Sequence, residues 1–154
     1  MERHTFKIPI DAPREKVWDI LWSVTTFREW TTVFSEGSHA ESDWKQGSKI
    51  LFLDGKGAGM VSTIAVKKPP EFMSFKHLGE VHDGVEDLTS KKVSEWSGAL
   101  ESYMLKNVNG KTELSVEIDL ADEFKDYFLE TFPKALDKVK SMAERRREPA
   151  AAPS

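Results

Sequence analysis

The Asn109-Gly110 pair constrains this chain more than any other feature, because a two-residue Asn-Gly loop needs φ > 0 at both positions and favours a type I′ hairpin turn. It predicts a strand from about Trp96 to Val108 folding back on one from Lys111 to Leu120, with Val108 opposite Lys111. Counting back from the turn sets Tyr103 opposite Val116 and Glu101 opposite Ile118. The second strand alternates, with Thr112, Leu114, Val116, Ile118 and Leu120 on one side and Lys111, Glu113, Ser115, Glu117 and Asp119 on the other. Its apolar side is the interior. Cross-strand partners share a face of the sheet, so Ala99, Glu101, Tyr103, Leu105 and Asn107 are expected to point inward as well. A carboxyl and a phenol are thereby carried into an apolar surround, the mark of a pocket or a buried polar network.

The elements around this hairpin follow from periodicity. Phe6, Ile8 and Ile10 alternate with Thr5, Lys7 and Pro9 as a first strand, and Asp11-Ala12-Pro13 ends it and opens a helix whose apolar side is Val17, Trp18, Leu21 and Trp22. Thr26-Phe27-Arg28-Glu29 matches a capping box at the start of a second short helix, with Trp30, Val33 and Phe34 as its buried side. Strands are expected over 48–53, 60–66 and 72–79, separated by Asp54-Gly55-Lys56-Gly57 and Pro69-Pro70. The polar stretch Glu80 to Glu95 reads as a structureless loop or flap. Phe124, Phe128, Phe132, Ala135, Leu136, Val139 and Ala143 describe an amphipathic helix from about Asp122 to Arg146, in which Pro133 either bends the axis or begins a second segment.

This order predicts an α+β domain, with an antiparallel sheet of six or seven strands, two short helices and one long C-terminal helix on one face. At about 1.5 Å per residue the last helix is long enough to cross such a sheet. A curled sheet touches a straight helix at its rims more easily than at its centre, which leaves room for a hollow between them. The 154 residues, 39% of them hydrophobic, read as one domain over 1–146 followed by a flexible tail over 147–154.

Several function classes are disfavoured. A net charge of −4 argues against a polyanion partner, so nucleic acid is not expected, and Arg145-Arg146-Arg147 reads as a solvated helix end. The absence of cysteine removes thiolate chemistry and cysteine-ligated zinc, and fits a reducing, cytoplasmic setting. No stretch approaches a membrane span, and Met1 leads straight into strand pattern without a signal core. His39, His77 and His82 lack metal-ligand spacing, so no metal or cofactor is expected. Gly55, Gly57 and Gly59 lack the spacing of a phosphate loop and read as a hairpin tip, and no Gly-x-Ser-x-Gly elbow presents a nucleophile.

What remains is the predicted cavity. With Lys76 facing water, Met73, Phe75 and His77 turn inward, and His77 comes near Glu101 and Tyr103 if their strands are neighbours. A histidine beside a carboxylate in an apolar cavity is a candidate proton-transfer pair, although the more ordinary reading is a satisfied polar cluster that orders a pocket. A β-bulge near Gly98 would reverse the facing of Glu101. Trp30, Phe34, Phe52, Phe75, Phe128 and Phe132 are the aromatic side chains expected to line the hollow beside His77, Glu101 and Tyr103.

Ala12-Pro13 with Val17-Trp18, the segment Asp43-Trp44-Lys45-Gln46-Gly47, Trp96, Tyr103, Gly110-Lys111-Thr112 and the closing Leu136-Asp137-Lys138-Val139-Lys140 resemble the START-like superfamily, from about Glu2 to Glu144. Within it they resemble bacterial relatives of the C-terminal domain of the activator of the ninety-kilodalton heat-shock chaperone ATPase. The resemblance implies a helix-grip fold, in which a curved antiparallel sheet grips a long C-terminal helix over a hydrophobic cavity. The superfamily includes lipid and hormone carriers, polyketide cyclases, resistance proteins and chaperone regulators. The expected function is binding of a small, largely apolar or amphipathic ligand. The alternatives are a cyclase-type enzyme using His77 and Glu101, and a chaperone ATPase regulator acting through its surface.

Overall fold

The computed structural model describes residues 1–145. Its strands are β1 (Glu2–Ile10), β2 (His39–Glu41), β3 (Lys49–Leu53), β4 (Ala58–Lys68), β5 (Phe72–His82), β6 (Val85–Asp87), β7 (Leu100–Val108) and β8 (Lys111–Leu120). The helices are α1 (Arg14–Trp22), α2 (Val24–Trp30), α3 (Lys91–Ser94) and α4 (Asp122–Arg145), and a 3-10 turn over Thr31–Val33 extends α2. All strands pair antiparallel in the order β1-β8-β7-β5-β4-β3-β2, with short β6 beside the far end of β5. The tail over 147–154, and the end of the expected helix at Arg146, lie outside the described residues.

The hairpin at Asn109-Gly110 fixes the centre of the sheet. Asn109 and Gly110 have φ of 55° and 84°, and the register is Tyr103 to Val116 and Glu101 to Ile118, as the turn type dictates. Asn107 departs from the expectation. It is exposed although its cross-strand partner Thr112 is buried, and its Oδ1 accepts from the Gly110 amide at 3.0 Å. The strand also starts later than expected, at Leu100 rather than Trp96, since Trp96 closes a helical turn with its amide on the Val93 carbonyl.

Two other expectations are corrected. Glu80 to Glu95 is not a structureless loop: β5 continues to His82, Asp83-Gly84 makes a second two-residue turn with both φ positive, and His82 pairs with Val85 on β6. Ser90 then caps α3 by accepting from the Val93 amide at 3.2 Å. The polarity there reflects an edge strand. Thr26 and Glu29 form no capping box, because α2 begins at Val24, one residue after α1, and both fall inside it. Thr26 Oγ1 donates to the Asp19 carbonyl at 3.1 Å, while Glu29 pairs with Arg145.

α4 is one helix with Pro133 inside it. Pro133 points outward and is exposed, so the Leu129 carbonyl it leaves without a donor lies on the wet side. The two halves do different work. Residues 131–143 bury Phe132, Ala135, Leu136, Val139 and Ala143 in the core. That half is tied to the end of β1, where Lys140 Nζ donates to the Pro9 carbonyl at 2.8 Å and Glu144 accepts from the Asp11 amide at 2.8 Å. The half before Pro133 carries Phe124 and Phe128, only partly buried, and stands off the sheet.

Candidate functional site

Beneath the first half of α4 lies a cavity of about 570 Å³ with an open mouth. Its roof is Phe124, Tyr127, Phe128 and Phe132 of α4, and its floor is formed by β5, β7 and the ends of β3, β4 and β8. Trp22, Phe27, Trp30 and Phe34 wall one side, and Lys92 and Trp96 stand at another. The aromatic rings brace one another: Trp22 meets Tyr103 edge-on with centroids 4.9 Å apart and Phe75 at 5.3 Å, and Phe52 meets Phe75 at 5.0 Å. Edge-to-face contacts of this kind fix ring orientation. The wall is therefore preformed. Tyr127 holds the roof to the α2 side by donating from its hydroxyl to the Phe34 carbonyl at 2.9 Å.

All nine side chains singled out in the sequence, Trp30, Phe34, Phe52, Phe75, His77, Glu101, Tyr103, Phe128 and Phe132, line this cavity. Glu101 faces Phe75 across the β5–β7 pair and His77 lies further along the same face, so the two side chains meet diagonally, with His77 Nε2 2.9 Å from Glu101 Oε1. The Tyr103 hydroxyl donates to the other carboxylate oxygen, Oε2. Gly98 has φ of 99°, but it precedes β7 and does not reverse the facing of Glu101.

Ser62 completes the chain and was missed by the sequence reading. Its Oγ lies 2.6 Å from His77 Nδ1, and its side chain is fully buried. One assignment satisfies every group: Ser62 donates to Nδ1, the Nε2–H of His77 donates to Oε1, and Tyr103 donates to Oε2. Two donors then converge on one carboxylate. Ser62 is outside the cavity lining, so it orients the imidazole and does not present a nucleophile.

Electrostatics follow from this arrangement. Burial, and then the Glu101 charge and hydrogen bond, push Tyr103 well above the usual tyrosine value, so it stays a phenol and a donor. On the outward side of β8, Asp119 accepts from Arg3 Nε at 2.9 Å and from the Leu100 amide at 3.0 Å. Burial opposes ionisation of Asp119, but these contacts outweigh it and hold its carboxyl below the ordinary range. At the mouth, Glu80 lies 3.5 Å from both Lys92 Nζ and His82 Nε2. Glu80 and His82 face the cavity because the β4–β5 register shifts between Val61 and Ser62, which changes the inward set on β5 from odd to even positions. His39 and His82 each pair with a glutamate, and no cluster of three or more candidate metal ligands occurs among the described residues.

Comparison with known proteins agrees with this architecture. The sequence pattern of the family described as "Activator of Hsp90 ATPase homolog 1-like protein" matches residues 11–144. The chain belongs to that family. Among solved structures, the Aha1 dimer from Colwellia psychrerythraea is 18% identical, with 94% of this chain and 98% of that one covered and a TM-score of 0.72. ChR145 from Cytophaga hutchinsonii is 19% identical over 96% of this chain and 97% of that one, at a TM-score of 0.70. CalU16 from Micromonospora echinospora is 15% identical over 96% and 78%, at 0.65. At such identities the likeness is one of fold, and the fold is the START-like helix grip. No curated protein matches the chain in sequence. Among the described residues no helix is long and apolar enough to cross a membrane.

Proposed function

We propose that the protein binds a small, largely apolar molecule between the curved sheet and the first half of α4. The observation that carries this reading is a cavity of about 570 Å³, walled by braced aromatic rings, with one convergent polar group at Glu101. That combination of volume, apolar lining and a few fixed polar atoms is the usual composition of a ligand pocket. A filled core would have closed it, since interiors pack to crystal density and tolerate few voids. Native mass spectrometry of the protein purified from its own cells tests the reading. A retained small-molecule adduct, lost when Phe128→Trp in the roof and Phe34→Trp in the wall fill the cavity, is the expected result. An adduct-free spectrum with no uptake of any apolar probe would count decisively against it.

Family membership favours a second reading, regulation of a chaperone ATPase through the outer surface. It predicts that the protein raises the ATPase rate of the chaperone from its own cells, and that filling the cavity leaves this untouched. An unchanged rate at saturating protein would dispose of it.

A further inference from the structure

We infer that the cavity selects ligands that present a hydrogen-bond donor and rejects anions, with Glu101 as the specificity-determining residue. This rests on the ligand-binding reading above and deepens it.

The argument is an accounting of donors and acceptors at the polar end. Tyr103 has one hydroxyl proton, and it is spent on Glu101 Oε2. Both ring nitrogens of His77 are engaged, Nδ1 with Ser62 at 2.6 Å and Nε2 with Glu101 at 2.9 Å. No donor remains there. Each carboxylate oxygen accepts more than one hydrogen bond, so Glu101 keeps unused acceptor capacity, and its side chain is 18% exposed and lines the cavity. A hydroxyl, enol or amine on a bound molecule has an acceptor waiting for it.

An anionic ligand meets the opposite situation. Its charge would lie near the Glu101 carboxylate among aromatic walls, where like charges repel far more than in water. The described residues offer no compensating cation inside. Among the described residues Lys92 is the only lysine or arginine lining the cavity, and it sits at the mouth beside Glu80. The indole N–H groups of Trp22 and Trp96 have no acceptor, but both nitrogens are buried where no water-sized group reaches them.

Three probes that share one ring system separate the possibilities: 1-hydroxypyrene, pyrene and 1-pyrenecarboxylate, titrated at pH 7 and followed by energy transfer from the tryptophans, three of which line the cavity. Wild-type protein is expected to bind 1-hydroxypyrene roughly tenfold more tightly than 1-pyrenecarboxylate, or better, the scale of one hydrogen bond to a charged group. Glu101→Gln keeps the size of the side chain and removes its charge, so the gap should close in that variant. Equal or tighter binding of the carboxylate by wild type overturns the inference while leaving the ligand-binding reading intact. A full gap in a folded Glu101→Gln protein overturns the assignment to Glu101. Failure of all three probes to bind overturns both, and the wild-type comparison decides even if the variant does not fold.

Discussion

Burial leaves the Tyr103 phenol, 1% exposed, with Glu101 as its partner and little solvent contact to stabilise a phenolate. The chain has two tyrosines, so each can be followed by its own ionisation. Burial also raises Tyr127, opposed by a Thr131 hydrogen bond, but less than Tyr103. In Tyr127→Phe the remaining phenol should not ionise in the folded protein near pH 10, where an unfolded tyrosine does. The sign follows from linkage: a raised folded value means the contribution to stability is whole below about pH 10 and is lost as pH rises above it. Ultraviolet titration of that variant should therefore show tyrosinate appearing only together with loss of fold. A phenolate appearing at about pH 10 with the circular dichroism unchanged would show Tyr103 in contact with water. That Tyr103 and Glu101 point inward was legible because Asn109-Gly110 fixes the register of β7 on β8 to the residue. Ser62 was not legible, since its pairing with His77 depends on an irregularity between β4 and β5 that no turn residue announces.

At the scale of elements, the sequence was most informative where a turn or a long period spoke, and least where polar composition masked order. The polar run before Glu95 hides β6 and α3, yet Asp83-Gly84 is the same kind of two-residue turn signal as Asn109-Gly110, and Ser90 is a cap. Polarity alone does not separate a loop from an edge strand. The supposed capping box failed for the opposite reason: its spacing was right, but α1 and α2 are separated by Ser23 alone, so Thr26 had no free helix start to cap. Pro133 could be placed on α4 but its consequence could not, because a proline breaks, bends or is simply tolerated according to what surrounds the freed carbonyl. On an exposed face, water can satisfy the Leu129 carbonyl. Pro133→Ala restores the missing donor. The gain in helix propensity, offset by a more flexible unfolded chain, should raise stability by about 1–2 kcal/mol in urea denaturation. A loss of stability would mean that Pro133 itself holds the roof in place.

For the molecule as a whole, the division of α4 into a packed half and a roofing half separates stability from function. Leu136 is 2% exposed in the main core, and its truncation to alanine should cost roughly 2–5 kcal/mol, as removal of a packed side chain does. Phe128 has the larger side chain but is only partly buried and borders the cavity, where among the described residues its aromatic contacts are Phe34, Phe132 and Tyr127. Fewer atoms close around it, so Phe128→Ala should cost on the order of 1 kcal/mol, well below the figure for a phenylalanine in a filled core. Uptake of an apolar probe should respond in reverse order, falling sharply in Phe128→Ala and holding in any Leu136→Ala protein that stays folded. A paired measurement of urea midpoint and probe affinity in the two variants checks this directly. If Phe128→Ala costs as much stability as Leu136→Ala, the roof is part of the core. The space beneath it would then be a packing defect of a curved sheet rather than a place kept open for a ligand.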